Sequence, residues 1–305
     1  MAGIDHAGPD VRPRAAPPPL AEARLPERVD LVALDLDGTC LDAHTQALHP
    51  RIEAAVREAS TRVPVVIATG RPYRSAQPWA RRLGVRAPLI CYQGALIQAM
   101  PDPDPGHGLV YGPVVATQLL DGEAARAAIR VARAHGWHRQ AYVDDALVCE
   151  EDRPEARHYA RVAAVAIRLV PDLEAEVAGG TVKVVCVVLD REEAVRCRVA
   201  LREALGDRAR VMPSLPELIE VASPLAGKGR ALRRVCGQLG IEPARAAAIG
   251  DAPNDADMLA AAGFGVAIEG APAELLAHAD CTCPPPARGG VADVLAALGL
   301  AGVDG

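Results

Sequence analysis

Aromatic side chains are scarce in this chain, with one Phe, two Trp and five Tyr among 305 residues. Stacking platforms for single-stranded nucleic acid depend on such rings. The formal charge of −6 supplies no basic face either, so no nucleic-acid partner is expected. Long hydrophobic runs are also missing. No segment approaches the roughly 20 apolar residues of a bilayer span, and the N-terminus has no continuous apolar stretch of the kind a secretory signal requires. No membrane association is expected, and the expected location is cytoplasmic. Paired metal-ligand cysteines are missing too. None of Cys40, Cys91, Cys149, Cys186, Cys197, Cys236, Cys281 and Cys283 forms a CxxC pair, and Cys281-Thr282-Cys283 has no Cys or His cluster beside it. No zinc site is expected on this pattern, and reduced thiols are.

What is present is an ordinary globular composition, 50% apolar and 24% charged, which at this length allows two domains or one large one. With so few rings, the core must be built from Val, Leu, Ile and Ala. Residues 1–28 mix Pro, Ala and both charge signs and read as a disordered tail. An apolar run from Val29 to Leu36, broken only by Asp30 and Asp35, suits a strand buried on both faces. A helix is expected over Pro50–Ala59, a second strand over Val63–Ala68, a helix over Tyr73–Leu83 and a third strand over Pro88–Cys91. That alternation belongs to a doubly wound parallel sheet, a Rossmann-like α/β core.

After Ile97 the pattern changes. Short strands are expected at Leu109–Val115, Gln140–Val143, Ala146–Cys149, Thr181–Leu189, Ala209–Met212 and Leu218–Ala222. They alternate with helices near Gly122–Ala134 and Arg191–Leu205, as in an α+β unit. From Pro224 the first pattern returns, with helix Gly229–Leu239, strand Ala246–Ile249, helix Asp255–Ala262 and strand Gly265–Ile268. The expected organisation is a core of residues 29–96 and 223–305, interrupted by an inserted α+β cap of residues 97–222.

The residues that carry chemistry lie at the strand ends of this core. In Leu34-Asp35-Leu36-Asp37-Gly38-Thr39, strand periodicity puts Asp35 and Asp37 on one face. Two carboxylates at the end of a buried strand repel unless a cation intervenes, and hard oxygen ligands suit Mg²⁺. An Asp-Gly hairpin turn is the plainer reading of the same residues. In Gly250-Asp251-Ala252-Pro253-Asn254-Asp255, an apolar run again ends in Gly and an acid. Asp251, Asn254 and Asp255 stand at i, i+3 and i+4 and project toward one point, although a capped helix start also uses such residues. Thr69 and Gly70 end the second strand, where a hydroxyl and free N–H groups suit a phosphate oxygen or simply make a turn. Lys228 opens a helix, where the macrodipole disfavours a cation. An anion docking there would account for it, as would a solvated Lys in a Gly turn. His135 and His138 lack metal-ligand spacing, and no Gly-x-Ser-x-Gly, Walker or dinucleotide glycine pattern is present.

Taken together and in order, Asp35-Leu36-Asp37-Gly38-Thr39, Ala68-Thr69-Gly70-Arg71, Lys228-Gly229 and Gly250-Asp251-Ala252-Pro253-Asn254-Asp255 resemble the four motifs of the haloacid-dehalogenase-like phosphohydrolases. The spacing resembles the Cof-type subgroup, whose large α+β cap lies between the second and third motifs. The resemblance implies Asp35 as the nucleophile that forms an aspartyl-phosphate and Asp37 as general acid and then base. It implies Thr69, Gly70, Lys228 and Asn254 as phosphate-binding groups. Mg²⁺ would be held by Asp35, the backbone carbonyl of Asp37 and Asp251, with Asp255 behind them orienting Lys228 or a metal-bound water.

Two positions depart from the family pattern. Gln93 stands where an Asn-Gly pair is common, and Ile268-Glu269-Gly270-Ala271 replaces the usual Met-Gly-Asn-Ala. Glu269 is expected to point away from a phosphate or to meet a cationic substrate group. The implied activity is a Mg²⁺-dependent phosphatase acting on a small phosphorylated metabolite, with family analogy alone favouring a sugar phosphate. A phosphomutase or phosphotransferase using the same aspartyl-phosphate is the alternative. It would need a second basic site on the cap, where Arg126, Arg130, Arg133, Arg139, Arg153, Arg157, Arg161 and Arg168 lie. A non-catalytic phosphometabolite-binding protein is the third reading.

Overall fold

The computed structural model describes residues 16–102, 106–163 and 165–302. Along the first part of the chain run β1 (Leu31–Leu34), α1 (Pro50–Arg62), β2 (Val65–Ile67), α2 (Tyr73–Arg82), β3 (Leu89–Cys91), β4 (Leu96–Gln98) and β5 (Val114–Thr117). The middle holds α3 (Gly122–Ala134), β6 (His138–Val143), β7 (Ala146–Cys149), α4 (Pro154–Ala163), β8 (Ile167–Leu169), α5 (Leu173–Glu176), β9 (Lys183–Val187), α6 (Arg191–Leu205), β10 (Arg210–Leu215) and β11 (Leu218–Ala222). The last part holds α7 (Lys228–Leu239), β12 (Ala246–Gly250), α8 (Ala256–Ala261), β13 (Phe264–Ile268), α9 (Ala273–Leu276), β14 (Cys281–Cys283) and α10 (Gly290–Ala297).

Strands β14, β13, β12, β1 and β2 lie side by side in that order, all parallel. β3 continues the row through one parallel bridge, Ala68 to Ile90. The expected doubly wound core is therefore present. Alternate strand residues feed opposite faces. Val32, Leu34, Val65, Ile67, Val266 and Ile268 meet Ile52 and Val56 of α1 and Val291 and Leu295 of α10. Leu31, Ala33, Val66, Ala246 and Ala248 meet Leu232 and Val235 of α7 and Met258 and Leu259 of α8. Both layers are aliphatic, and strands buried on both faces need no polar alternation. The order puts β1 and β12 side by side at the centre, so the segments that follow them emerge together at one end of the sheet. Crevices beyond such strand ends are where open α/β sheets bind ligands.

A second sheet runs β10-β11-β9-β6-β7-β8, antiparallel except for β7 with β8. Helices α3 and α6 cover one face through Ala128, Ile129, Cys197 and Leu201. Tyr142, Leu147, Val185 and Val187 of the other face join the cluster that contains Tyr92 and Leu96 near β3. This is the α+β cap.

The structure adds three details to what was expected. The hairpin β4–β5 pairs with β3, and Ile97, Val115 and Ala116 pack in the cluster around α7. The strand expected at Leu109–Val115 thus forms as β5 and lies against the core through β4. Helices α4, α5, α9 and α10 and strands β4, β8 and β14 were not expected. The expected tail over residues 1–28 lies outside the described residues as far as residue 15. From residue 16 onward it is placed by pairing, because the Thr282 N–H donates to the Pro18 carbonyl at 2.9 Å and Pro19 bridges Thr282 beside edge strand β14. An open sheet edge carries unpaired backbone groups, and this segment covers some of them. Among the described residues, no helix is long and apolar enough to cross a membrane.

Candidate active site

β1 ends at Leu34, and the next side chain, Asp35, is buried. Its carboxylate accepts a 2.5 Å bond from Lys228 Nζ. Lys228 is the first residue of α7, and its ammonium also donates to Asp255 Oδ1 at 2.6 Å. The other oxygen of Asp255 accepts the backbone N–H groups of Asp251 (3.2 Å) and Ala252 (3.1 Å). Asp255 is thereby spent on holding Lys228 and the turn after β12. Burial works to lower the Lys228 pKa, but Asp255 and Asp35 outweigh it and hold the pKa above the usual lysine range.

Asp251 leans toward the same point. Ligand oxygens of Asp35, Asp251 and Asp255 all lie within 4.8 Å of one another. Burial, and then the neighbouring Asp255 charge, push the Asp251 carboxyl up to about 6. Burial likewise holds Asp35 well above the usual carboxylate range, against the pull of Lys228. Thr39 Oγ1 steadies Asp251 with a 2.9 Å bond. Gly38, at φ +89°, leaves room for that carboxylate, since a Cβ there would stand 2.2 Å from Asp251 Oδ2. Three carboxylates face one ammonium. This donor set fits a divalent hard cation, which would relieve the remaining repulsion.

Asp37 has a different partner. Its carboxylate takes a bidentate grip from Arg71, Nε to Oδ2 at 2.8 Å and Nη2 to Oδ1 at 2.5 Å. Gln46 Nε2 adds a 3.1 Å bond to Oδ1, and Arg71 Nη2 also donates to the Gln46 side-chain oxygen Oε1. Burial works to raise the Asp37 pKa, but the Arg71 hydrogen bonds win and lower it. The expectation that Asp35 and Asp37 share one face is thus corrected for their side chains. The strand stops at Leu34, the chain turns, and the two acids are drawn to different cations.

Thr69 is fully buried at the end of the β2 segment. Its Oγ1 accepts from the Arg71 N–H at 3.1 Å, leaving the hydroxyl proton to donate elsewhere. Gly70 packs against the Gln93 amide, and a Cβ there would lie 2.5 Å from Gln93 Nε2. Gln93, left-handed at φ +57°, accepts a 2.8 Å bond from Asn254 Nδ2. Gln93 thus joins the β3 end of the site to the β12 end. Glu269 pairs instead with Arg288 and takes no part.

Asp35, Asp251, Asp255 and Lys228 therefore meet in one cluster, with Thr39 against it. Asp37 stands beside them on Arg71, and Asn254 is linked to Gly70 through Gln93. Thr39 and Arg71 stand in the quoted motifs but were given no role from the sequence, and Gln46 was not singled out at all. For Arg71 the signal was its place directly after Thr69-Gly70, while Gln46 carries none.

Residues 32–295 match the family model described as haloacid dehalogenase-like hydrolase. A phosphoglycolate phosphatase of Archaeoglobus fulgidus is 29% identical over 88% of this chain and 96% of its own length. An HMP-PP phosphatase of Cronobacter sakazakii is 30% identical over 81% and 87%. Among solved structures, a haloacid dehalogenase-like hydrolase from Bacteroides thetaiotaomicron superposes with a TM-score of 0.78 at 23% identity, covering 88% of this chain and 99% of that one. That last likeness speaks for the fold. Fold, family match and phosphatase relatives agree, and the chain belongs to the haloacid dehalogenase-like hydrolases as a Cof-type phosphatase, a hydrolase of phosphoric monoesters.

Proposed function

We propose that the enzyme hydrolyses a small phosphomonoester, a sugar phosphate or similar metabolite, through an aspartyl-phosphate on Asp35 and with the help of Mg²⁺. The observation that carries this reading is the buried Asp35–Lys228–Asp255 chain with Asp251 against it. It presents a carboxylate already oriented by an ammonium and set where a phosphoryl group would bring further negative charge. Asp35 would attack phosphorus while the leaving alcohol takes a proton from Asp37. Asp37 would then deprotonate a water that attacks the acyl phosphate, freeing Asp35 and inorganic phosphate. The Thr69 hydroxyl, the Gly70 N–H, Lys228 and Asn254 would neutralise the phosphoryl oxygens. Asp35, the main-chain carbonyl of Asp37 and Asp251 would hold the metal, which when bound supplies charge neutralisation at those oxygens.

Arg71 sets a condition on this sequence. While it grips Asp37, the carboxyl is held ionised, the state of a base. A phosphoryl dianion would compete for the guanidinium, and with Arg71 drawn to it burial would act to raise the Asp37 pKa against the weaker pull of Gln46 and Lys228.

The core of residues 29–96 and 223–305 would do this chemistry, and the cap would select the alcohol. The phosphomutase alternative needs a free basic site on the cap. Of the eight, Arg126, Arg130, Arg133, Arg139, Arg153, Arg157 and Arg168 each pair with a carboxylate, leaving exposed Arg161 without one among the described residues, and a lone arginine supports a second phosphate site less well than a cluster would. Asp35→Asn should abolish Mg²⁺-dependent phosphate release from p-nitrophenyl phosphate, and a chelator should do the same to the wild type. Wild-type turnover in the Asn variant would sink the mechanism.

A further inference from the structure

The cap strands β6 and β7 are joined by a two-residue turn, Asp144–Asp145, with both residues left-handed at φ 50° and 60°. Such turns favour Asn-Gly or Asp-Gly, because a side chain in this region is strained. At the second position, where Gly would be easiest, stands an aspartate whose carboxylate leaves the cap altogether. Oδ1 accepts the Tyr73 N–H at 3.1 Å and the Tyr92 hydroxyl at 2.6 Å. Oδ2 accepts the Arg74 N–H at 3.0 Å, Arg74 Nε at 3.3 Å and the Tyr111 hydroxyl at 2.8 Å.

Tyr73 and Arg74 open α2, whose N-cap residue is Pro72 and has no side-chain acceptor to offer. The missing cap is supplied across the cap–core seam, and a carboxylate suits the positive end of the helix. Arg71 lies two residues before Tyr73. Its carbonyl accepts the Tyr92 N–H at 3.1 Å, and the Tyr92 hydroxyl ends on Asp145. The chain just after Arg71 is therefore tied to one carboxylate from the cap by two routes, through its own carbonyl and Tyr92 and through the Tyr73 N–H, while its guanidinium grips Asp37.

We propose that Asp145 is a positioning residue for the phosphatase reaction. By seating the cap hairpin on the first turn of α2 and on Tyr92, it holds Arg71 in register with Asp37 and makes cap closure a condition for an ordered acid–base site. The catalytic half of this proposal rests on the roles given to Asp37 and Arg71 above, whereas the docking half stands on geometry alone.

The test uses Asp145→Gly, which relieves the turn while removing the carboxylate, and Asp145→Asn, which keeps one acceptor oxygen. In the Gly variant, amide hydrogen exchange at Tyr73 and Arg74 should speed up about tenfold or more, with β9 and β11 unchanged. The kcat for p-nitrophenyl phosphate should fall about tenfold or more, and the Asn variant should recover part of both. Tyr111→Phe, which removes one donor at the exposed rim, should move both readouts the same way by less. Unchanged exchange and kcat in the Gly variant overturn the proposal. Faster exchange across β9 and β11 together with the loss of kcat also overturns it, because the carboxylate would then only hold the cap folded. Asp35→Asn assayed in parallel separates the two readings. If it keeps turnover the aspartyl-phosphate fails, while exchange at Tyr73 and Arg74 still decides the docking.

Discussion

Gly70 has no side chain because the Gln93 amide fills the space one would take. A Cβ at residue 70 would meet the far end of a flexible side chain, so Gly70→Ala can be absorbed by moving Gln93 rather than the backbone. Moving Gln93 breaks its 2.8 Å bond from Asn254. We expect Gly70→Ala to leave stability within about 1 kcal/mol but to lower kcat/KM. Adding Gln93→Ala should make the two losses non-additive, since both act through one contact. Steady-state kinetics on the four proteins of the cycle, with urea midpoints, decide this, and strictly additive effects would refute the linkage. At this scale the sequence was legible wherever a residue of the candidate site sits at the end of an apolar run, as Asp35, Thr69 and Asp251 do. It was silent on pairings between segments. Nothing near Gln93 announces Asn254, and nothing near Asp37 announces Arg71, because those contacts exist only after the strands align.

Among the elements, α7 carries the heaviest constraint. It must bring Lys228 down between Asp35 and Asp255, and it does so by lying close on α8. A Cβ on Gly229 would stand 1.9 Å from the Asp257 carbonyl oxygen, which is backbone and cannot step aside. Two effects oppose each other in Gly229→Ala. Helix propensity favours Ala by up to about 1 kcal/mol, while forcing a packed pair apart costs about 1–3 kcal/mol. Overpacking should win, with a lowered urea midpoint, and Lys228 should be pushed off its partners so that turnover falls as well. An Ala variant as stable and active as wild type would show the helices to be loosely packed.

Elements with strong periodicity were readable. The spans of α3, α6, β7 and β11 coincide with those expected from sequence. Helix α4 was missed although Pro154 at its start is a recognised signal. Three-residue β14 is too short to show a period at all.

For the molecule as a whole, the sequence placed a core around an inserted cap, and the structure adds how the two meet. The cap sheet turns one face to helices α3 and α6 and the other toward the core, and on the core-facing side its polar residues are buried. His138 is among them, with Nε2 3.1 Å from Gln140 Oε1. Burial lowers its pKa below the ordinary 6.5, helped by Arg153 and Arg139 and opposed by Gln140 and Glu155. The folded state then binds fewer protons than the unfolded chain as pH falls below 6.5, so stability is full above that value and is lost toward the lowered pKa. Asp35 and Asp251, raised by burial, act the other way in wild type and variant alike, so the His138 share is a difference: from pH 7.5 to 6 and 5 the wild-type urea midpoint should fall relative to that of His138→Gln. An equal change in the variant would place the titrating group elsewhere.

The scarcity of rings has one further consequence. Tyr73 stacks on Tyr111 with centroids 5.2 Å apart, Tyr92 meets Tyr142 at 5.0 Å, and Tyr142 meets Tyr159 at 6.4 Å. These are all five tyrosines of the chain, gathered where the cap hairpin and its sheet approach α2 and β3. The phenol bands of the near-ultraviolet dichroism spectrum therefore report one place in the protein, and the molecule carries an unlabelled optical gauge of whether its two halves are joined.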